Sequence, residues 1–178
     1  EMLPPVLFAH GTHEQRVTHL PKVVRGEESW CQLLSEPNAG SDLASVATRA
    51  EPADGGWRVS GQKVWTSGAG SSDYALLVAR SDRAVAGRAG LSCFSMAMDQ
   101  PGVDVRPLRQ MTGQAEFNEV YLTDVRIPDA HRLGDVGDGW RISLTTLMNE
   151  RVAIGGGSFS RKAPIDWAVE LYREHGDG

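Results

Sequence analysis

The stretch Leu34-Ser35-Glu36-Pro37-Asn38-Ala39-Gly40-Ser41-Asp42 joins an apolar, strand-like run to a turn that carries hydroxyls, carboxylates, a proline and a glycine. A connector needs far less polar chemistry than this. Gly40 can take a positive φ without a Cβ penalty, so successive backbone N–H groups around Ser41 are expected to curl into a concave site for a phosphate or pyrophosphate. The alternative for the same residues is an ordinary Asx or Ser turn between strands.

Further along lies Gly61-Gln62-Lys63-Val64-Trp65-Thr66-Ser67-Gly68. In this order and at this spacing the two stretches resemble the flavin-binding segments of the acyl-CoA dehydrogenase family, which read T/S-E-P-x-A-G-S-D and G-x-K-x-W-I/T-T/S. The resemblance continues through Pro101-Gly102-Val103, Phe117-Asn118-Glu119-Val120, Val125-Arg126-Ile127-Pro128 and Asn149-Glu150-Arg151, and so covers nearly the whole chain. It implies an α+β fold: an antiparallel β-barrel or sandwich, the middle domain of such an enzyme, flanked by partial helical domains. The implied boundaries are residues 1–28 for the end of an N-terminal helical domain, 29–132 for the β-domain and 133–178 for the start of a truncated C-terminal helical domain.

The residues read without the family agree in outline. Short β-prone runs separated by Gly, Asp and Pro predict strands at Trp30 to Leu34, Val46 to Ala50, Trp57 to Ser60, Tyr74 to Ala79, Leu91 to Met98, Val103 to Pro107 and Glu116 to Leu122. Asp54-Gly55-Gly56 is a hairpin-type turn between the second and third. Such strands without long helices between them suggest an antiparallel barrel or sandwich. Asp82 to Gly90 reads as an exposed loop.

Helical texture brackets this region. Met2 to His10 is helix-compatible with Gly11 as its stop, and Thr12-His13-Glu14-Gln15 fits a capping box for a short helix ending at Leu20-Pro21. After Pro128, Asp138 can cap a helix in which Trp140, Leu144, Leu147, Met148, Arg151 and Ile154 recur at three- and four-residue steps. Gly155-Gly156-Gly157 weakens or ends it, Lys162-Ala163-Pro164 reads as a link, and Ala163 to His175 as a further helix. His10, His13 and His19 lack ligand spacing and read as solvated surface side chains rather than a metal site.

Bulk properties narrow the function classes. The chain has 178 residues and a formal charge of -5, which argues against a general nucleic-acid or anionic-membrane binder. Cys31 and Cys93 each lie in an apolar strand-like run, which suggests buried free thiols and a cytoplasmic setting. No apolar run approaches the length of a membrane span. The abrupt start without an initiator methionine reads as a piece of a longer protein.

The resemblance implies FAD as cofactor and assigns roles to particular positions. Gln32, Leu33, Leu34 and Ser35 fall where the family lines the flavin with backbone groups and a hydroxyl. Ser35 would bond the polar edge of the ring and stabilise charge that accumulates on hydride acceptance. Gly40 and Ser41 fall at the flavin pyrophosphate, with Ser41 also beside the substrate's pantetheine. Trp65 corresponds to the tryptophan packed on the ring, with a barrel-core aromatic as the alternative. Thr66 and Ser67 follow it, Ser67 keeping a hydroxyl near the reactive flavin nitrogen. Arg151 resembles the arginine that approaches the CoA moiety; an interdomain ion pair is the alternative. Asn38 and Thr66 replace a common glycine and isoleucine, and Arg106 and Arg109 have no assigned role.

Glu150 is the catalytic candidate. Desaturating a saturated thioester needs a base for the α-proton while the β-hydride leaves for the flavin. Most family members place that glutamate on a loop of the C-terminal domain, beyond this chain. A smaller group uses a glutamate directly before the arginine of this helix, as in Glu150-Arg151. The implied activity is α,β-desaturation of an acyl-CoA, with electrons passed to an electron-transfer flavoprotein and a homo-oligomer, a dimer or tetramer, as the assembly. The alternatives are a flavin monooxygenase or oxidase on the same scaffold, and a non-catalytic subunit of a heteromeric dehydrogenase.

Overall fold

The computed structural model describes residues 3–155, 169 and 171–174. Within residues 3–155, three α-helices and eight strands follow in the order α1 (Leu3–His10), α2 (His13–Arg25), β1 (Trp30–Leu33), β2 (Arg49–Ala53), β3 (Gly56–Ser67), β4 (Tyr74–Arg80), β5 (Leu91–Ala97), β6 (Val103–Leu108), β7 (Phe117–Pro128), β8 (Arg132–Leu133) and α3 (Gly139–Gly155). The sheet order is β6-β7-β3-β2-β4-β5-β8, with β1 also paired to β4. Trp57 on β3 meets Phe94 on β5 at 5.4 Å between ring centroids, although β2 and β4 lie between these strands in the sheet. The sheet therefore curls over its own inner face, as the expected barrel or sandwich requires.

β4 explains why part of the sequence reads as an unbroken apolar run. Ala75, Leu77 and Ala79 face the inner core with Leu33, Val59, Phe94, Met96, Val120, Val125 and Ile127. Leu76 and Val78 face a second core with Leu3, Val6, Leu7, Leu91, Leu133 and Ile142, which fills the space between sheet and helices. A strand buried on both faces has no polar face with which to alternate.

Several elements differ from the sequence reading. The ladder is mixed, not wholly antiparallel: β1 runs parallel to β4 from Trp30↔Tyr74 to Leu33↔Leu77, and β2 meets β4 in parallel at Arg49↔Arg80. The chain between β1 and β2 leaves the sheet and returns, which removes the hairpin that an antiparallel pair would need. β2 begins three residues later than expected, because Val46 to Thr48 packs in the second core and under Glu36. β3 and β7 each run for 12 residues, so the second motif is itself strand. The Asp54-Gly55 turn is as expected, with Gly55 at φ +71.

The capping box at Thr12 is present in full, Gln15 N–H bonding Thr12 Oγ1 at 3.2 Å and Thr12 N–H bonding Gln15 Oε1 at 2.9 Å. α2 does not stop at Pro21 but continues to Arg25 and ends at Gly26 in the left-handed region. Proline removes one helical hydrogen bond. The closing bonds at Gly26 and Glu27, and the packing of Leu20 and Val23 on the second core, carry the helix past it. In α3 the Asp138 carbonyl accepts the Ile142 N–H, while its carboxylate bonds the Asp135 N–H and the Arg141 guanidinium. α3 buries Ile142, Ser143 and Thr146, whereas Leu144 and Met148 from the expected apolar series are exposed. Residues 156–157, the Lys162-Ala163-Pro164 link and most of the expected helix after Ala163 lie outside the described residues.

Candidate functional site

Two strands and a turn meet at a buried ion pair. Lys63 points into the protein, fully shielded from solvent, and its Nζ donates to Glu36 Oε1 at 2.9 Å and to the Leu34 carbonyl at 3.0 Å. Glu36 also accepts the backbone N–H groups of Ala47 and Thr48. Burial pushes the Lys63 ammonium down to about 8, opposed by the Glu36 carboxylate, so the pair stays ionised at neutral pH. Burial alone would raise the Glu36 carboxyl, but Lys63 and the N–H donors outweigh it and hold it below the usual carboxylate range. Glu36 of the first motif and Lys63 of the second thus bind each other.

Beyond this crossing β3 changes course. Its register with β7 slips between Lys63↔Val120 and Thr66↔Asn118, so Val64 and Trp65 together oppose Glu119 in a β-bulge. Trp65 sits at φ +62, a conformation that bulky residues rarely adopt. The twist turns its indole outwards, 58% exposed, with its edge against Phe117 at 5.9 Å. Strain of this kind in an exposed aromatic directs attention to a ligand site.

The indole forms part of a cleft of 430 Å³ lined by Trp30, Cys31, Gln32, Leu34, Ser35, Val64, Trp65, Ser67, Leu147 and Glu150. Of the residues proposed from sequence, the cleft gathers Gln32, Leu34, Ser35, Trp65, Ser67 and Glu150. β1 supplies one wall, the bulge of β3 another, and α3 brings Leu147 and Glu150 to the third. Two successive carbonyls are held from β3: Leu34 by the Lys63 ammonium and Ser35 by the Val64 N–H at 3.0 Å. An aromatic face beside two hydroxyls and a strand edge suits a planar heteroaromatic ring, and the volume lies within the range of cofactor pockets, about 300–1,000 Å³.

Other proposed residues lie elsewhere. Leu33 is fully buried in the inner core, which leaves only its backbone for a ligand, and Thr66 is buried with its hydroxyl unpaired among the described residues. Arg151 is exposed and does not line the cleft. Gly40 and Ser41 are exposed and also lie outside it. Gly40 is absent from the positive-φ positions, so the expected left-handed concavity around Ser41 does not form. The chain turns instead through a tight Glu36-Pro37-Asn38-Ala39 loop closed by backbone bonds at both ends, and Asp42 accepts the Ser45 hydroxyl.

The sequence reading also missed Trp30. Its indole stacks on Tyr74 at 5.0 Å and donates to Glu28 Oε1 at 2.7 Å. His19, expected at the surface, is buried here: its Nδ1 bonds the same carboxylate oxygen at 2.8 Å and its ring meets both aromatics edge-on. No cluster able to hold a metal exists among the described residues. Trp30, Cys31 and Gln32 separate the cleft from a second, mostly apolar cavity of 310 Å³. Burial pushes the Cys31 thiol up to about 11 and Cys93 up to about 12, so neither is a nucleophile at neutral pH.

Fold and cleft together define a curled β-domain with helices packed on one side and an aromatic-walled cleft between them. The sequence profile described as "Acyl-CoA dehydrogenase, middle domain" matches residues 31–125, and the chain belongs to the acyl-CoA dehydrogenase family. It is 49% identical over 154 residues to acyl-CoA dehydrogenase FadE34 of Mycobacterium tuberculosis, covering 86% of this chain and 22% of that protein. It is 48% identical to acyl-CoA dehydrogenase IpdE1 of the same organism, covering 85% of this chain and 39% of that one. The chain thus spans well under half the length of these relatives. Among solved structures, the Tcur3481-Tcur3483 steroid ACAD superposes with a TM-score of 0.87 at 30% identity, covering 98% of this chain and 45% of that one. The ChsE4-ChsE5 complex from M. tuberculosis superposes at 0.78 with 34% identity, covering 85% and 39%.

Proposed function

We propose that this chain is the flavin-binding core of an FAD-dependent acyl-CoA dehydrogenase that desaturates an acyl-CoA thioester between its α and β carbons. The observation that carries the reading is the placement of Glu150 on α3 in the same cleft as Ser35, Trp65 and Ser67. The division is then residues 1–28 for the preceding helical domain, 29–132 for the β-domain and 133–178 for the start of the following one.

When bound, FAD supplies the acceptor for the β-hydride. Glu150 takes the α-proton on a carboxylate oxygen, the α C–H electron pair becoming the new C=C bond as the hydride leaves. Trp65 covers the ring and keeps water from it. Ser35 would donate a hydrogen bond to charge that builds on the ring's polar edge, and Ser67 would keep a hydroxyl near the reactive flavin nitrogen. Ser41 and Arg151, exposed outside the cleft, are assigned to the pyrophosphate and the CoA portion, which extend beyond it. An electron-transfer flavoprotein is the proposed electron acceptor.

A second reading is supported by the likeness to the ChsE4-ChsE5 complex: this chain pairs with a homologous chain that completes the site. Anaerobic titration of the full-length flavoprotein with acyl-CoAs, followed by flavin absorbance, tests both. Bleaching in the wild type that is lost in Glu150→Gln, with FAD retained, is the expected result. Bleaching in both moves the base to another segment or a partner chain. Bleaching in neither, with rapid reoxidation and substrate hydroxylation after chemical reduction, replaces the dehydrogenase by an oxygenase.

A further inference from the structure

The conformation of Trp65 has to be held, since a tryptophan at φ +62 returns to extended backbone unless its surroundings prevent it. One end of the bulge is tied by the Val64 N–H to the Ser35 carbonyl at 3.0 Å. At the other end, just past the register slip, a side chain donates to the Thr66 carbonyl. Asn118 Nδ2 bonds that carbonyl at 2.9 Å from a position only 8% exposed. Its neighbour Phe117 supports the indole edge. Asn118 itself does not line the cleft.

We propose that Asn118 is a positioning residue for the ring-binding cleft, its amide holding the β3 bulge so that Trp65 and Ser67 face the ligand. The proposal rests on the flavin reading above. Without the amide, the Thr66 carbonyl, on a residue only 2% exposed, loses this side-chain donor, a loss that a buried acceptor resists. The readiest relief is for the extra residue to slip back into the ladder. A one-residue slip reverses the faces of the residues after it, turning Thr66 outwards and Ser67 inwards. The indole and the Ser67 hydroxyl would leave the cleft together.

The test uses the full-length protein labelled with 5-fluorotryptophan, the Trp65 fluorine resonance being assigned from its absence in Trp65→Phe. In Asn118→Ala, and in the isosteric Asn118→Asp, which keeps the volume but removes the donor, the Trp65 resonance should shift or broaden while those of Trp30, Trp57 and Trp140 stay in place. FAD affinity should fall at least tenfold in both. In a Trp65→Ala background the same Asn118 change should cost markedly less than in wild type, because only the Ser67 hydroxyl is left for it to displace. An unmoved Trp65 resonance with FAD affinity within twofold of wild type overturns the proposal. An undiminished Asn118 effect in the Trp65→Ala background also overturns it, showing a general structural role. A wild-type protein that binds no FAD overturns the flavin reading itself, and the positioning role with it.

Discussion

Replacing Trp65 separately by glycine and by alanine isolates the backbone cost of the bulge. Both changes remove the indole, so loss of the Phe117 contact and of the cleft wall is common to the two. They differ in their tolerance of φ +62. An alanine in the left-handed region is disfavoured by about 1–2 kcal/mol, whereas glycine is not. Against this, glycine in a strand is about 0.5–1 kcal/mol less stable than alanine through its greater freedom in the unfolded chain. The glycine variant is therefore expected to be the more stable by about 0.75 kcal/mol, the difference between the midpoints of the two effects and the reverse of the order in a regular strand. Guanidinium unfolding of both variants, compared at equal m-values, measures this directly. A thermal scan should separate them by about 1–4 °C for a chain of this size. An alanine variant as stable as the glycine variant, or more so, would refute the left-handed bulge and the argument built on it.

Lys63→Met leaves the Glu36 carboxylate buried without its counter-charge and is expected to cost about 3–5 kcal/mol, part of which Glu36→Gln should restore in the double variant. Lys63 also predicts a pH signature. Its folded value of about 8 lies below that of an unfolded lysine, so between these values the unfolded chain binds the extra proton and stability rises with pH. Denaturant unfolding from pH 7 to 10.5 should show wild type gaining on Lys63→Met; an unchanging difference would count against the buried ammonium. Thr12→Ala removes one cap bond and should cost about 1 kcal/mol by chemical denaturation. Gln15→Ala should cost more, about 2–3 kcal/mol, because the Gln15 amide also bonds the Ala130 and Arg132 carbonyls and ties α2 to the end of the sheet.

The fold was readable because its signals are local. The Thr12 capping box, the Asp54-Gly55 turn and the apolar runs of β4 and β5 each depend on a few neighbouring residues, and each forms where expected. The errors lie where a distant residue decides. Pro21 reads as a stop, but Gly26 and the second core carry α2 past it. Gly40 reads as a left-handed pivot, but the tight turn from Glu36 to Ala39 changes the chain's direction before it. His19 reads as solvated, yet Glu28, Trp30 and Tyr74 enclose it. Lys63 left one usable sign: it keeps the two-residue phase of Trp57 and Val59, the inward positions of β3, which should have marked it as buried.

By itself the sequence determined the family, the α+β layout and the two segments that make the cleft, since all three are written in short runs whose spacing is set along the chain. Only the tertiary structure decided what those segments do to each other. Glu36 of the first motif and Lys63 of the second neutralise one another, leaving Ser35, Trp65 and Ser67 to face the cleft. α3 brings Glu150, more than 80 positions along the chain from Trp65, to the same space. The physical reason is that strand register and helix docking are chosen by the cores they bury, and a core is assembled from residues that are neighbours only once the chain has folded.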